Sequence, residues 1–551
     1  MENMGTVKNR YFKIAHLPTF MLLIGYPVYW IELFFINKHD GGTSALAWAI
    51  FLLSVVFLSK KEVNLFFDFA KWIRIECGKI NVSNRIYIVM SMVIVFGVIM
   101  VAFKASLLPP HLSQEFDALN YHITVPRQHL VLGSFKFIPW SSADLFLLPV
   151  DFSLAPYWLV TELPNKFPQF LFLIGLVSVT VDLVKRFSGN NFIGIILAAS
   201  AVFGSHFIGI QMGTAMLDIV IAYLFLAAID SLLAGRIFMF LIEFVFFFWS
   251  KPFIPLQCAL LLAVMALASA ILKMRGFKEV KLFFGERLDS FKLKEYAWNI
   301  KKSLIPFLLL SMAVAGPFIV KAIYYSGVPL FPFAAGIFDM SGSAHRNESL
   351  HNSLTVSSKS HMSAKDAYGY GKSGLDFLKH FWLISVPDKG VNNRYDYPVG
   401  LVYLIFMGPF LYMFILALRR KEFAVFPLFT VFYWVSWWFG SQQTRFLYIP
   451  VLLMIIAVIS EIKVYSRIFM SAIMFSLIIT GVSIFRANRN DFFAYPADVL
   501  RPKDKELVRL SRDYLKTGRS DMVSVDFYDV AYAGFPVKVT EGEASWVLKV
   551  K

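Results

Sequence analysis

The stretch SQEFDALNYHITVPR, residues 113–127, follows closely on the apolar run IYIVMSMVIVFGVIMVAF, residues 86–103. The run is long enough to cross a hydrocarbon layer of roughly 30 Å as one helix. The stretch after it gathers Glu115, Asp117, Tyr121, His122 and Arg127 within a few residues. A chain that leaves the bilayer and at once presents acids, an imidazole and a guanidinium has placed reactive groups at the membrane rim.

The rest of the sequence explains why that cluster stands out. The 551 residues are 57% hydrophobic and 17% aromatic but only 16% charged, with a mean hydropathy of +0.61. A soluble chain carries about 25% charged residues. Apolar runs near 18–37, 44–59, 86–103, 168–184, 191–210, 215–235, 237–250, 253–272, 303–323, 398–418, 422–440, 446–461 and 467–485 predict a bundle of about thirteen transmembrane helices. The fold class expected is an all-α polytopic membrane protein, with residues 1–485 as the membrane module and 486–551 as a charged tail. Alternation at Met522–Tyr528 and Ser545–Val550 predicts a small α/β appendage there. The formal charge of +16 reads as basic loops on a lipid surface, not as a nucleic-acid footprint. Cys77 and Cys258 stand alone and form no metal or disulfide pattern. Lys8, Arg10 and Lys13 precede PTFMLLIGYPVYWIELFFI (18–36), too long for a signal-peptide core, so this run reads as a retained anchor.

Basic residues set the expected orientation. With a cytoplasmic N-terminus, the segments 60–85, Lys185-Arg186, Arg236, 273–302, Arg419-Arg420-Lys421 and Lys463–Arg467 face inward. The long loops 104–167 and 324–397 and the tail then face outward. The second of these loops contains an amphipathic piece, GLDFLKHFWLISV (374–386), and the triplet Asn347-Glu348-Ser349, a glycosylation sequon by pattern alone. Lys251 and SQQTR (441–445) fall at the outer ends of helices, so distant residues should converge on one face.

Each candidate has a plainer reading. A loop carboxylate is ordinarily solvated, but apolar sequence on both sides predicts that this loop lies against the bilayer. On a helix over 115–125, Asp117 and Tyr121 share one face while Glu115 and His122 share another, and Pro126 ends that helix. The two acids then diverge, one catalytic and the other orienting. A divalent cation such as Mg²⁺ or Mn²⁺ on Glu115, Asp117, His122 and His129 stays open, because the ligands are ordinary but the spacing is not diagnostic. Lys251 and Arg445 could snorkel to headgroups. Outward cations run against the positive-inside bias, however, and suit a phosphate, Arg through paired contacts and Lys as a point charge. Asp218, a few residues into its span, is costly there unless it faces a cavity. Asp230, nearer the inner end, reads as structural. The run GPFIVKAIYYSGVPLFPF (316–333) predicts a helix ending in a tight turn.

EFDALNYHITVPRQHLVLGSF (115–135) resembles the first outer loop of the GT-C superfamily of polytopic glycosyltransferases, in particular bacterial members related to the protein-mannosyltransferase and aminoarabinose-transferase families. Those families show an acid, a D-A-L-x-Y-H-x-x-x-P pattern and a G-x-(I/F) step. GTAMLD (213–218), the lysine of WSKPFIPL (249–256), the run 316–333 and QTRFLYIP (443–450) follow in the family's order. The turn at Tyr325-Ser326-Gly327-Val328-Pro329 lacks the asparagine usual there, and the tail lies outside the resemblance. The resemblance implies a sugar transferred from a polyprenyl-phosphate carrier at the extracytoplasmic face of a bacterial inner membrane, with the acceptor a glycan, lipid or protein. It puts the catalytic base on Asp117, with Glu115 beside it. Tyr121, His122, Arg127, Asp218 and Gln443 would shape the substrate site, and Lys251 and Arg445 would hold the phosphate. The alternatives are a polysaccharide polymerase or ligase on lipid-linked sugars, and a transporter or flippase. A transporter should show inverted repeats and mid-membrane sites, whereas here the polar residues collect at the rim.

Overall fold

Pro18 stands in the first turn of the first long helix, α1 (Leu17–Ile31), where a missing N–H leaves nothing unsatisfied. A computed structural model describes residues 14–541 apart from 37–41, 60–81, 112–114, 139, 160–162, 189–190, 252, 256, 260–261, 263–265, 267–278, 285–289, 333–337, 339–353, 358, 360–367, 370, 387–396, 463–464, 518–522, 527–530 and 534–536. The further helices are α2 (Gly42–Ser59), α3 (Val82–Ser106), α4 (Thr124–Leu132), α5 (Pro149–Trp158), α6 (Phe167–Ser188), α7 (Phe192–Phe203), α8 (His206–Gln211), α9 (Asp218–Leu233), α10 (Ile237–Phe248) and α11 (Ser290–Ser326). They continue as α12 (Gly374–Leu383), α13 (Leu401–Arg419), α14 (Val425–Phe439), α15 (Tyr448–Glu461), α16 (Arg467–Asn488) and α17 (Pro502–Thr517).

Among the described residues, seven helices are long and apolar enough to cross a membrane: Leu17–Ile36, Asn84–Ser106, Phe167–Ser188, Ile300–Ser326, Leu401–Arg419, Thr444–Glu461 and Arg467–Asn488. Ser44–Val56, Phe192–Phe203, Ile237–Phe248 and Val425–Phe439 are apolar but shorter. The all-helical, membrane-length class stands, and the expected thirteen spans do not all appear. The expected span 191–210 is broken after Phe203, and 253–272 lies mostly outside the described residues. The break is stabilised by tertiary partners. The carbonyl of Gly204 accepts from the hydroxyls of Ser476 and Thr480 on α16, and the His206 N–H donates to the carbonyl of Val399. Backbone groups freed from a helix must find such partners inside an apolar bundle.

Much of the described part of the loop 104–167 is buried among the helices. Every residue of α5 is buried, and α1 approaches it so closely that a Cβ on Gly25 would sit 1.9 Å from the Ser153 carbonyl. The Tyr29 hydroxyl on α1 donates to the Pro126 carbonyl at 2.9 Å. A loop rich in Phe, Leu, Tyr and Trp gains more from burial among helices than from lipid contact, because its own polar groups find partners there.

Polar contacts sort the molecule into two ends. At one end His16 is bonded to Glu243 and Asp230, and Asp230 also takes Arg186 and Arg236. The same end holds a short parallel pair, β1 (Glu279–Lys281) with β2 (Glu422–Ala424), closed by a 3.0 Å ion pair between Lys281 and Glu422. Segments expected on the inner side therefore meet, with Asp230 as a buried charge hub. At the other end lie the loops after α3 and α11, the rim at 441–447, and the tail. The tail forms α17 and a parallel pair, β3 (Val523–Asp526) with β4 (Val537–Glu541). The first strand falls within the expected Met522–Tyr528. The second expected strand, Ser545–Val550, lies outside the described residues, as do Asn347 and most of 60–85. The expected helix at 374–386 forms as α12, opened by a capping box between Ser373 and Asp376. Helix α11 ends at Ser326 before Gly327 at φ 75°, a left-handed conformation that favours glycine.

Candidate active site

The backbone around Asp117 is not the single helix that its i, i+4 spacing suggests. Residues Ala118–His122 form a π-turn, in which the Ile123 N–H reaches the Ala118 carbonyl at 3.1 Å. The wider ring inserts one residue into the helical phase. Pro126 does not terminate a helix. It stands in the first turn of α4, where its missing N–H is harmless. The π-turn resets the direction of the chain between the two acids and the buried helix α4.

The two acids diverge further than expected. Glu115 is fully buried and accepts backbone N–H bonds from Ala215 at 3.0 Å and His111 at 2.9 Å, with Lys166 at 3.2 Å. It ties the loop after α3 to the GTAM turn, whose Gly213 adopts φ 77° against Ala102 and Ala105. Asp117 instead faces Arg445, whose Nη1 donates to its Oδ2 at 2.6 Å. Burial works against the Asp117 charge, but Arg445, His122 and Lys251 together hold its carboxyl down at about 2.

A second pair stands beside the first. Lys251 donates to Asp218 Oδ1 at 2.9 Å, and Gln211 donates to Oδ2 at 3.0 Å. Asp218 is the first residue of α9, where the helix dipole favours a negative group. Both cations lie near one ring, with Lys251 Nζ at 5.8 Å and Arg445 at 5.5 Å from the centroid of Phe446. Lys251, Arg445, Asp218 and Phe446 line a cavity whose remaining wall is largely apolar, with Phe247, Phe253, Ile254, Phe429 and Tyr433 among its residues. An apolar chamber with cations gathered in its wall suits an amphiphile carrying an anionic group.

The remaining candidates divide. Tyr121 is buried, and its hydroxyl is kept protonated by burial and by the nearby Asp117. His122 Nδ1 is hydrogen-bonded to Asp151 Oδ1, while its Nε2 is buried without a partner. Gln443 accepts weakly from Arg445 at 3.4 Å, and its carbonyl accepts from Trp437 at 2.7 Å. Arg127 is placed elsewhere: it donates to the tail carbonyl of Ala531 at 2.7 Å. His129 pairs with Asp144, which also binds Lys321 of α11 at 2.6 Å.

The metal set considered from the sequence is not brought together. Glu115, Asp117, His122 and His129 are each engaged by a different partner, and among the described residues no three His, Cys, Asp or Glu side chains converge as metal ligands do. Asp151, Gln211, Phe446 and the Asp144–Lys321 pair join the site region without a local sequence motif of their own. The only sequence signal for Asp151 is a carboxylate inside an apolar segment, PVDFSLAPYW. Comparison with protein-family models, curated proteins and solved structures finds no match to this chain.

Proposed function

We propose that this chain is an integral membrane glycosyltransferase that moves a sugar from a polyprenyl-phosphate carrier to an acceptor hydroxyl at the extracytoplasmic face of a bacterial inner membrane. The observation that carries the reading is the pairing of Asp117 with Arg445 and Asp218 with Lys251, two cations beside two carboxylates at an apolar cavity. The order of motifs that resemble those of the GT-C superfamily supports the same reading. The polyprenyl chain occupies the apolar wall, and its phosphate meets Lys251 and Arg445.

The chemistry then follows. The acceptor oxygen attacks the anomeric carbon and its proton passes to the Asp117 carboxylate. The bond from that carbon to the phosphate oxygen breaks, and the electron pair leaves with the phosphate. Negative charge grows on the leaving group, where positioned cations stabilise it most in a dry site. With Arg445 turned toward the phosphate, Asp117 regains the basicity that the pair suppresses. Glu115, bonded to backbone on both sides, orients the loop and takes no proton in this scheme. Tyr121 and His122 sit behind Asp117 as the wall of the acceptor side.

The test is donor binding. Lys251→Ala and Arg445→Ala should each weaken binding of a polyprenyl-phosphate sugar to the purified protein by roughly tenfold or more, since a charge-assisted contact contributes about 1.5–3 kcal/mol. Unchanged affinity in both variants returns the two cations to a headgroup-anchoring role and removes the support for this reading.

A further inference from the structure

The two ion pairs that meet at the cavity carry no net charge together. Lys251 and Arg445 bring two positive charges, and Asp218 and Asp117 bring two negative ones at 2.9 and 2.6 Å. A neutral cluster exerts little net pull on a phosphate, and a cation already in a short ionic contact has that contact to lose. An anion therefore meets the full charge of either cation only as the resident carboxylate yields it.

Asp218 is built to be displaced without being stranded. Its second oxygen keeps the Gln211 amide at 3.0 Å, and it stands at the first position of α9. Both supports persist when Lys251 departs, since neither depends on the lysine. Lys251 is a point charge on a flexible four-carbon stem that can swing without losing a fixed fork geometry. Both residues line the cavity, so the exchange needs no opening of the core.

We propose that Asp218 is a placeholder for the donor's phosphate: it holds Lys251 in the empty site, yields it when the lipid donor binds, and reclaims it to expel the product. The inference rests on the glycosyltransferase reading above. It also answers a difficulty in that reaction. The donor is a phosphodiester with one negative charge, whereas the released carrier is a monoester that gains part of a second, its second pKa lying near 6. Cations alone would hold the product more tightly than the donor. A tethered carboxylate competes with the product at a high effective concentration and restores the empty state.

Asp218→Asn tests this, because its amide oxygen can still accept from Gln211 while the competing charge is gone. The probe is a long-chain polyprenyl phosphate titrated into the purified full chain in detergent micelles, followed by thermophoresis for wild type and variant. The variant should bind roughly tenfold more tightly, the size of one charge-assisted contact. Its transfer reaction should show a lower KM, a lower kcat and stronger inhibition by added polyprenyl phosphate. Equal or weaker binding by a folded Asp218→Asn overturns the exchange and leaves the glycosyltransferase reading standing. It would mean that the carboxylate assists the ligand, directly or through a cation. No binding by wild type overturns that reading and this inference together. If Asp218→Asn does not fold, Asp117→Asn puts the same question to the Arg445 pair, with the same tightening expected.

Discussion

Two acids separated by one residue receive opposite tasks from their surroundings. Glu115 is enclosed by backbone donors and Lys166, whereas Asp117 keeps a side-chain partner that can leave. Glu115→Gln should therefore act on folding before chemistry. It replaces a charged acceptor of two N–H bonds and leaves Lys166 buried without its counter-charge, a loss of roughly 3–5 kcal/mol for a broken buried pair. A thermal melt in detergent should show a clear drop in Tm. A Glu115→Gln protein with wild-type Tm but abolished transfer would instead make Glu115 a chemical participant. The sequence made both acids visible as candidates, and it made Lys251 and Arg445 visible as cations in the wrong place for the charge bias. It could not show their pairing. Asp117 and Arg445 lie 328 positions apart, and nothing in local spacing reports a contact made across the bundle.

Elements were legible where one period runs uninterrupted and obscure where it breaks. Helix α12 appears where its amphipathic pattern and capping residues place it. The π-turn at Ala118–His122 has no such signature, so a helix drawn through 115–125 carries the wrong phase, and Pro126 looks like a terminator although it sits in a first turn. The span expected at 191–210 fails for a related reason. Apolar residues flank Gly204-Ser205-His206 on both sides, and the break there is sustained by hydroxyls on α16 that are remote in sequence. The π-turn also explains the position of Arg127. Leu119 on the turn joins a small cluster with Leu507, Val508 and Tyr532 of the tail, while Arg127 and Gln128 on α4 donate to the carbonyls of Ala531 and Ala533. Arg127→Ala should loosen this seat by about 1–3 kcal/mol. Hydrogen exchange should then quicken across β3, β4 and α17 and stay unchanged in α6 and α15. Equal protection of the tail in wild type and variant would show that the Arg127 contact contributes nothing to its docking.

At the scale of the whole molecule, composition decided the class, because a hydrocarbon layer imposes apolar helices of a set length whatever their packing. Composition could not give the number of full crossings, since several apolar helices in this bundle are too short to span alone. The same bundle brings Asp218 at the start of α9, Lys251, Arg445 and Phe446 around one cavity, with Asp117 held against Arg445. The central claim is that this gathering transfers sugar from a lipid phosphate. The most direct measurement is transfer in proteoliposomes from a polyprenyl-phosphate sugar to a hydroxyl acceptor, comparing wild type with Asp117→Asn. That substitution keeps the size of the side chain but cannot take the proton. Wild type should transfer, and Asp117→Asn should fall by a factor of about 10²–10⁴ while it still folds and binds donor. Transfer by Asp117→Asn at the wild-type rate, or no transfer by wild type, would contradict the account.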